Sequence, residues 1–257
     1  MSRRHTAFPC GTDTLAGTLD EAAGTTGLLL VSGGSEIRAG AFGGQARLAA
    51  ELAERGHPVF RYDRRGIGDS SGSDAGFRDS APDIAAALAA FRHEAPHVTR
   101  VVAFGNCDAA AALMLIGGAG FDGLVLANPW TLDGDTDAAP PPAAIRARYA
   151  EKLKNPHELM RFATGKVSLQ KLVGGLRHAL KPAAPPTGLA QEIAAGLARF
   201  AGPVRILIAE RDRTGQAFLA GWDAKDTRLD RCAGASHAFV EADARAWLRE
   251  RLLAALR

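Results

Sequence analysis

Hydrophobic and polar positions along this chain alternate between two kinds of segment. The first is a short continuous apolar run: Gly27-Leu28-Leu29-Leu30-Val31, Pro58-Val59-Phe60 leading into Arg61-Tyr62, Val101-Val102-Ala103-Phe104, Gly123-Leu124-Val125-Leu126-Ala127, and Val204-Arg205-Ile206-Leu207-Ile208-Ala209. Runs of this length suit strands buried on both faces of a sheet. The second kind is amphipathic. Residues 43–56 place Leu48, Leu52 and Ala53 on one helical face and stop at Gly56. Residues 80–95, the alanine-rich stretch 109–116 and residues 242–256 read as further helices. Residues 3–10 and 13–20 read as two antiparallel strands joined by Gly11-Thr12, and a weak strand falls near 227–231. This alternation predicts an α/β fold, a mostly parallel sheet flanked by helices.

The pattern breaks after the sixth strand. From Trp130 to Phe200 no strand-like run occurs, and two proline clusters, Pro140-Pro141-Pro142 and Pro182 to Pro186, bracket helix-compatible sequence at 145–153 and 169–180. We expect a core built from residues 1–129 and 201–257, with a helical lid inserted at 130–200.

Composition narrows the function. The chain has 257 residues, 47% of them hydrophobic, enough for one large core. Its 31 basic and 28 acidic residues give a formal charge of +3, too small a bias to argue for nucleic acid or an anionic membrane surface. Three widely spaced cysteines, Cys10, Cys107 and Cys232, show neither a disulfide framework nor zinc-ligand spacing. No signal peptide, membrane span, metal site or cofactor motif is expected, and a reducing, cytoplasmic compartment suits free thiols.

The candidate chemistry centres on Gly105-Asn106-Cys107-Asp108-Ala109, where a strand gives way to a helix. A nucleophile with small residues two before and two after it is the layout of the strained elbow of α/β-hydrolases, here with cysteine in place of serine. A cysteine nucleophile needs a base, an orienter for that base and oxyanion donors. His237 is the candidate base, in the small-residue loop Gly234-Ala235-Ser236-His237 before the last helix. The other histidines, His5, His57, His93, His97, His157 and His178, have no comparable setting. Asp212, past the Ile206-Leu207-Ile208-Ala209 strand, is the candidate acid, and Glu210 is its competitor. The order nucleophile, acid, histidine fits this fold. Oxyanion donors are expected from the backbone N–H of Asp108 and from Gly34 or Ser35, where the Gly33-Gly34 pair lets backbone approach a substrate carbonyl. Glu36 and Arg38, in the same loop, admit two readings: contact with the thiol or a charged acyl group, or an ion pair that shapes the loop. Asp63-Arg64-Arg65-Gly66 reads as a structural turn beside that loop.

Taken in order, Gly33-Gly34-Ser35-Glu36-Ile37-Arg38-Ala39-Gly40, Arg61-Tyr62-Asp63-Arg64-Arg65-Gly66-Ile67-Gly68-Asp69-Ser70-Ser71-Gly72 and Gly105-Asn106-Cys107-Asp108-Ala109-Ala110 resemble the exosortase A system-associated hydrolase type 1 family of α/β-hydrolases. The resemblance extends over nearly the whole chain, including Arg148-Tyr149 and Asn155-Pro156, and the Cys-Asp pair of the elbow is its more specific sign. It implies a triad of Cys107, Asp212 and His237 and an association with bacterial exopolysaccharide and protein-sorting loci. The chain departs from the family at Ser35-Glu36-Ile37, where a proline and an aromatic residue are common, and at Ala41-Phe42, where a polar pair is frequent. The expected function is an esterase or thioesterase acting on a small-molecule acyl substrate through an acyl-enzyme. An acyltransferase with a separate acceptor or carrier, and an inactive hydrolase-fold binding module, are the alternatives.

Overall fold

A computed structural model describes residues 2–132 and 188–257. Eight strands form one sheet: β1 (Arg3–Cys10), β2 (Asp13–Asp20), β3 (Thr26–Val31), β4 (Val59–Tyr62), β5 (Arg100–Asn106), β6 (Gly123–Ala127), β7 (Val204–Ala209) and β8 (Leu229–Cys232). Their order is β1-β2-β4-β3-β5-β6-β7-β8. The pairings β1–β2 and β2–β4 are antiparallel and the remaining five are parallel.

Burial of the apolar runs on both faces follows from the side-chain period of a strand. Leu29, Val31, Ala103, Ile206 and Ile208 join one core cluster with residues of helices α2 (Ala81–Glu94), α3 (Asp108–Leu115) and α4 (Gly188–Ala198). Leu28, Leu30, Val102, Phe104 and Leu207 join the other, with helices α1 (Gly44–Ala53) and α6 (Ala242–Leu256). In α6 the buried residues Ala244, Leu248, Leu252 and Leu256 recur every four positions, one stripe against the sheet. In α3 six successive residues, Ala109 to Met114, are buried, and four alanines let the helix lie close to the strands.

Two elements differ from expectation. Helix α5 (Arg213–Gly221) has only Gly215 and Phe218 buried, so its apolar pattern is too sparse to show in the sequence. Helix α4 falls within the stretch assigned to the lid, yet it packs on α3 so closely that a Cβ on Gly196 would stand 2.1 Å from the Met114 carbonyl oxygen. The helix-compatible stretches 145–153 and 169–180 lie outside the described residues. Among the described residues no helix is long and apolar enough to cross a membrane.

Parallel register sets the position of the site. Val31 pairs with Gly105, Asn106 with Ala127, and Ala209 with Cys232. The C-terminal ends of β3, β5, β6, β7 and β8 therefore lie along one edge, and their loops meet in the crevice where open α/β sheets bind ligands.

Candidate active site

Cys107 stands between β5 and α3 with φ 64° and ψ −125°, backbone that a side-chain-bearing residue rarely adopts. Surrounding contacts hold it there. Its N–H donates to the Ala127 carbonyl (2.9 Å), and its own carbonyl accepts from Ala111 and Trp130 (3.2 Å each). The turn is tight enough that a Cβ on Gly105 would lie 2.7–2.9 Å from the backbone of Ala109 and Ala110, which explains the small residue two before the cysteine. The thiol is half-buried, unlike the buried Cys10 and Cys232, and all three cysteines are free.

His237 and Asp212 come to this thiol from the loops after β8 and β7. The His237 Nδ1 lies 3.0 Å from Asp212 Oδ1. The other carboxylate oxygen of Asp212 accepts the Gly215 N–H at 2.9 Å, capping α5. One buried carboxylate thus starts a helix and holds the imidazole. His237 is pushed up to about 10, first by its hydrogen bond to Asp212 and next by that to Cys107, against the opposing effect of burial. The His237 imidazole is therefore protonated at neutral pH. Glu210, the competing acid, is exposed and does not reach the ring.

The loop that carries His237 is anchored by two asparagines that sequence reading passed over. Asn106 Nδ2 and Asn128 Nδ2 both donate to the His237 carbonyl, at 3.1 and 3.2 Å. Asn128 Nδ2 also donates to Asn106 Oδ1 (3.0 Å), and its Oδ1 accepts the Ala209 N–H (2.8 Å). Asn128 is fully buried with φ 43°, a conformation asparagine tolerates better than most residues. The signal was present: a polar residue directly after β6, at the same edge as the elbow.

The expected oxyanion loop is built differently from expectation. Gly34 lines the same cavity as Cys107, whereas Ser35 is exposed and does not. The Gly34 N–H is not open: it donates to the Asp108 side-chain Oδ1 at 2.7 Å. The backbone N–H of Asp108, first in α3, has no partner within the helix. Arg38 is committed elsewhere. Its guanidinium pairs with Asp63 and with Asp69 (2.8 Å) and donates to Thr18 Oγ1 (3.0 Å), and it does not line the cavity. The ion-pair partners of Arg38 are thus Asp63 and Asp69, not Glu36. Glu36 lines the cavity and accepts from Gln45 Nε2 at 3.1 Å. Behind the loop, Arg64 donates to the Gly34 carbonyl, so the Asp63-Arg64 turn braces it as expected.

Cys107 and His237 open onto a cavity of about 390 Å³ between α1 and α6, with Leu48, Phe104, Phe239 and Leu248 among its apolar walls. Ala41 and Phe42 also line it. Among the described residues no group of three or more His, Cys, Asp or Glu is placed to hold a metal ion.

A parallel sheet covered on both faces, a strained residue between β5 and α3, and an acid and a histidine on the loops after β7 and β8 define an α/β-hydrolase architecture. The chain belongs to the Alpha/beta hydrolase family, whose profile matches residues 28–251. No curated protein matches its sequence significantly. Solved structures share the fold at low identity. An alpha-beta serine hydrolase homologue from Coxiella burnetii is 16% identical (TM-score 0.61; 100% of this chain and 99% of that one covered). An esterase from Pyrococcus furiosus is 14% identical (TM-score 0.61; 99% and 90%). The thioesterase domain from the curacin biosynthetic pathway is 13% identical (TM-score 0.57; 98% and 100%).

Proposed function

We propose that the protein is a cysteine-dependent esterase or thioesterase that works through an acyl-enzyme on Cys107, with His237 as acid–base and Asp212 as its orienter. The observation that carries this reading is the contact chain from Cys107 through His237 to Asp212, which leaves the proton on the imidazole at neutral pH. The Cys107 thiolate attacks the acyl carbonyl and forms the new S–C bond. The leaving thiolate or alkoxide departs as the tetrahedral intermediate collapses and takes the proton from His237. The acylated sulfur no longer bears a charge, so only Asp212 then holds the imidazole pKa up. His237 next removes a proton from water, the hydroxide attacks the thioester, and Cys107 leaves as thiolate. Thiolates are better leaving groups than alkoxides, so a thioester or activated ester is the favoured donor. The apolar walls of the cavity suit an acyl chain. The neighbours named as an esterase and a thioesterase are in keeping with this chemistry. Transfer to an acceptor other than water would use the same groups.

The motifs around Gly33, Asp63 and Cys107 support placing the chain with the exosortase A system-associated hydrolases of bacteria, and three free thiols suit a reducing cytoplasm.

Incubation with a panel of acyl thioesters and activated esters, followed by intact mass measurement, tests the reading. A single acyl adduct is expected on the wild-type protein and none on Cys107→Ala. Absence of an adduct and of product with every donor would favour the binding-module alternative.

A further inference from the structure

The Asp108 carboxylate is a charged group beside the thiol to which the acyl-transfer scheme gives no task. Its Oδ1 accepts the Gly34 N–H at 2.7 Å. The same peptide group is held at its other end, where the Gly33 carbonyl accepts the Glu36 N–H at 3.1 Å. Gly33 makes the seat: a Cβ there would stand 2.4 Å from Asp108 Oδ1 and 2.7 Å from the Asn106 carbonyl oxygen. The glycine pair therefore brings backbone against this carboxylate, where sequence reading had placed a substrate carbonyl. A tetrahedral intermediate on Cys107 needs two converging N–H donors, and the one from the loop is already bonded to a negative oxygen. An oxyanion formed beside that oxygen would be repelled by it as well as denied its donor.

We infer that the Asp108 carboxylate occupies the oxyanion position of the resting site, and that the carbonyl oxygen of an acyl donor must displace it from the Gly34 N–H before acylation proceeds. The inference rests on the acyl-enzyme reading and deepens it: donors with enough binding energy in the cavity to move the carboxylate are processed, and small adventitious acyl donors are not. Asp108 is then a specificity-determining residue, acting through the donor that it covers.

The test compares acylation with alkylation at the same sulfur, in the full chain. Wild type, Asp108→Ala and Asp108→Asn are each treated with a neutral short-chain alkyl thioester and, separately, with iodoacetamide, and adducts on Cys107 are timed by mass spectrometry. Alkylation develops no oxyanion. The expected result is acylation roughly 10-fold or more faster in Asp108→Ala, with alkylation changed by less than about threefold. Asp108→Asn, which keeps an oxygen for Gly34 but no charge, falls between and decides the matter if the alanine variant does not fold. Acylation unchanged or slower in the folded variants overturns the inference while leaving the acyl-enzyme intact. Equal acceleration of both reactions also overturns it, since the carboxylate would then act on the thiol itself. Alkylation of Cys107 with no acylation in any variant removes the acyl-enzyme reading and the inference together.

Discussion

Asp212 and Asp108 each accept a backbone N–H, from Gly215 at 2.9 Å and from Gly34 at 2.7 Å. Their second roles differ. The spare oxygen of Asp212 holds the imidazole of His237 and favours its protonated form. Asp108 places its carboxylate on the Gly34 N–H, where the proposed acyl transfer would develop a negative oxygen. Asp212 is buried, caps a helix and serves a loop fixed by Asn106 and Asn128. Asp108 is half-buried, on the first turn of α3. The same functional group thus anchors the imidazole in one place and covers a backbone donor in the other.

The largest test of this contrast removes the atom that both sides serve. Cys107→Ala should lower thioester hydrolysis by about 10⁴-fold or more, measured by product release at saturating substrate. Activity that survives this change would mean that neither aspartate flanks the reacting centre. Replacing the support comes next. Asp212→Asn should reduce kcat/KM by about 10³- to 10⁴-fold, opposite in sign to the gain expected from Asp108→Ala. It should also bring the His237 titration down from about 10 toward its ordinary value of 6.5, because the bond to Asp212 is the largest cause of the rise. Ring NMR across pH 5–11 reads this directly. Since the folded pKa lies above the unfolded one, the stabilisation from this pair should be complete below about pH 6.5 and disappear as pH rises through 10.

A smaller effect is expected from the anchor behind the histidine. Asn128→Ala leaves the Ala209 N–H without its acceptor and the His237 carbonyl with one donor fewer, and should cost about 1–3 kcal/mol in urea unfolding. A loss of hydrolysis accompanied by unchanged iodoacetamide labelling of Cys107 would show that the loop moved and the thiol did not. The smallest change concerns the other thiols. Burial pushes Cys10 and Cys232 up, so brief iodoacetamide treatment at pH 7 should label Cys107 before either.

The contrast between the two aspartates also marks how far the sequence could be read. The strands were legible because each apolar run is buried on both faces, and the elbow because Gly105 stands where a Cβ would strike backbone. Asp212 and His237 could be placed from chain order and from their position past strand ends. What the Asp108 side chain does could not, because its contact with Gly34 spans 74 residues and depends on one side-chain rotation. The Asn128 network is hidden for the same reason: its partners come from β5, β7 and the histidine loop, and no local pattern links them. The pairing of Arg38 with Asp63 was not legible either, since Asp63 comes from the end of β4, the strand beside β3.

The most direct measurement is a rapid-quench time course with a mass-labelled thioester, followed by peptide mapping. Acyl label is expected on the Cys107 peptide before free acid is released, and should then hold at a steady level while free acid accumulates. Free acid formed with no label ever passing through Cys107, or label carried by Cys10 or Cys232 instead, would contradict the acyl-enzyme reading.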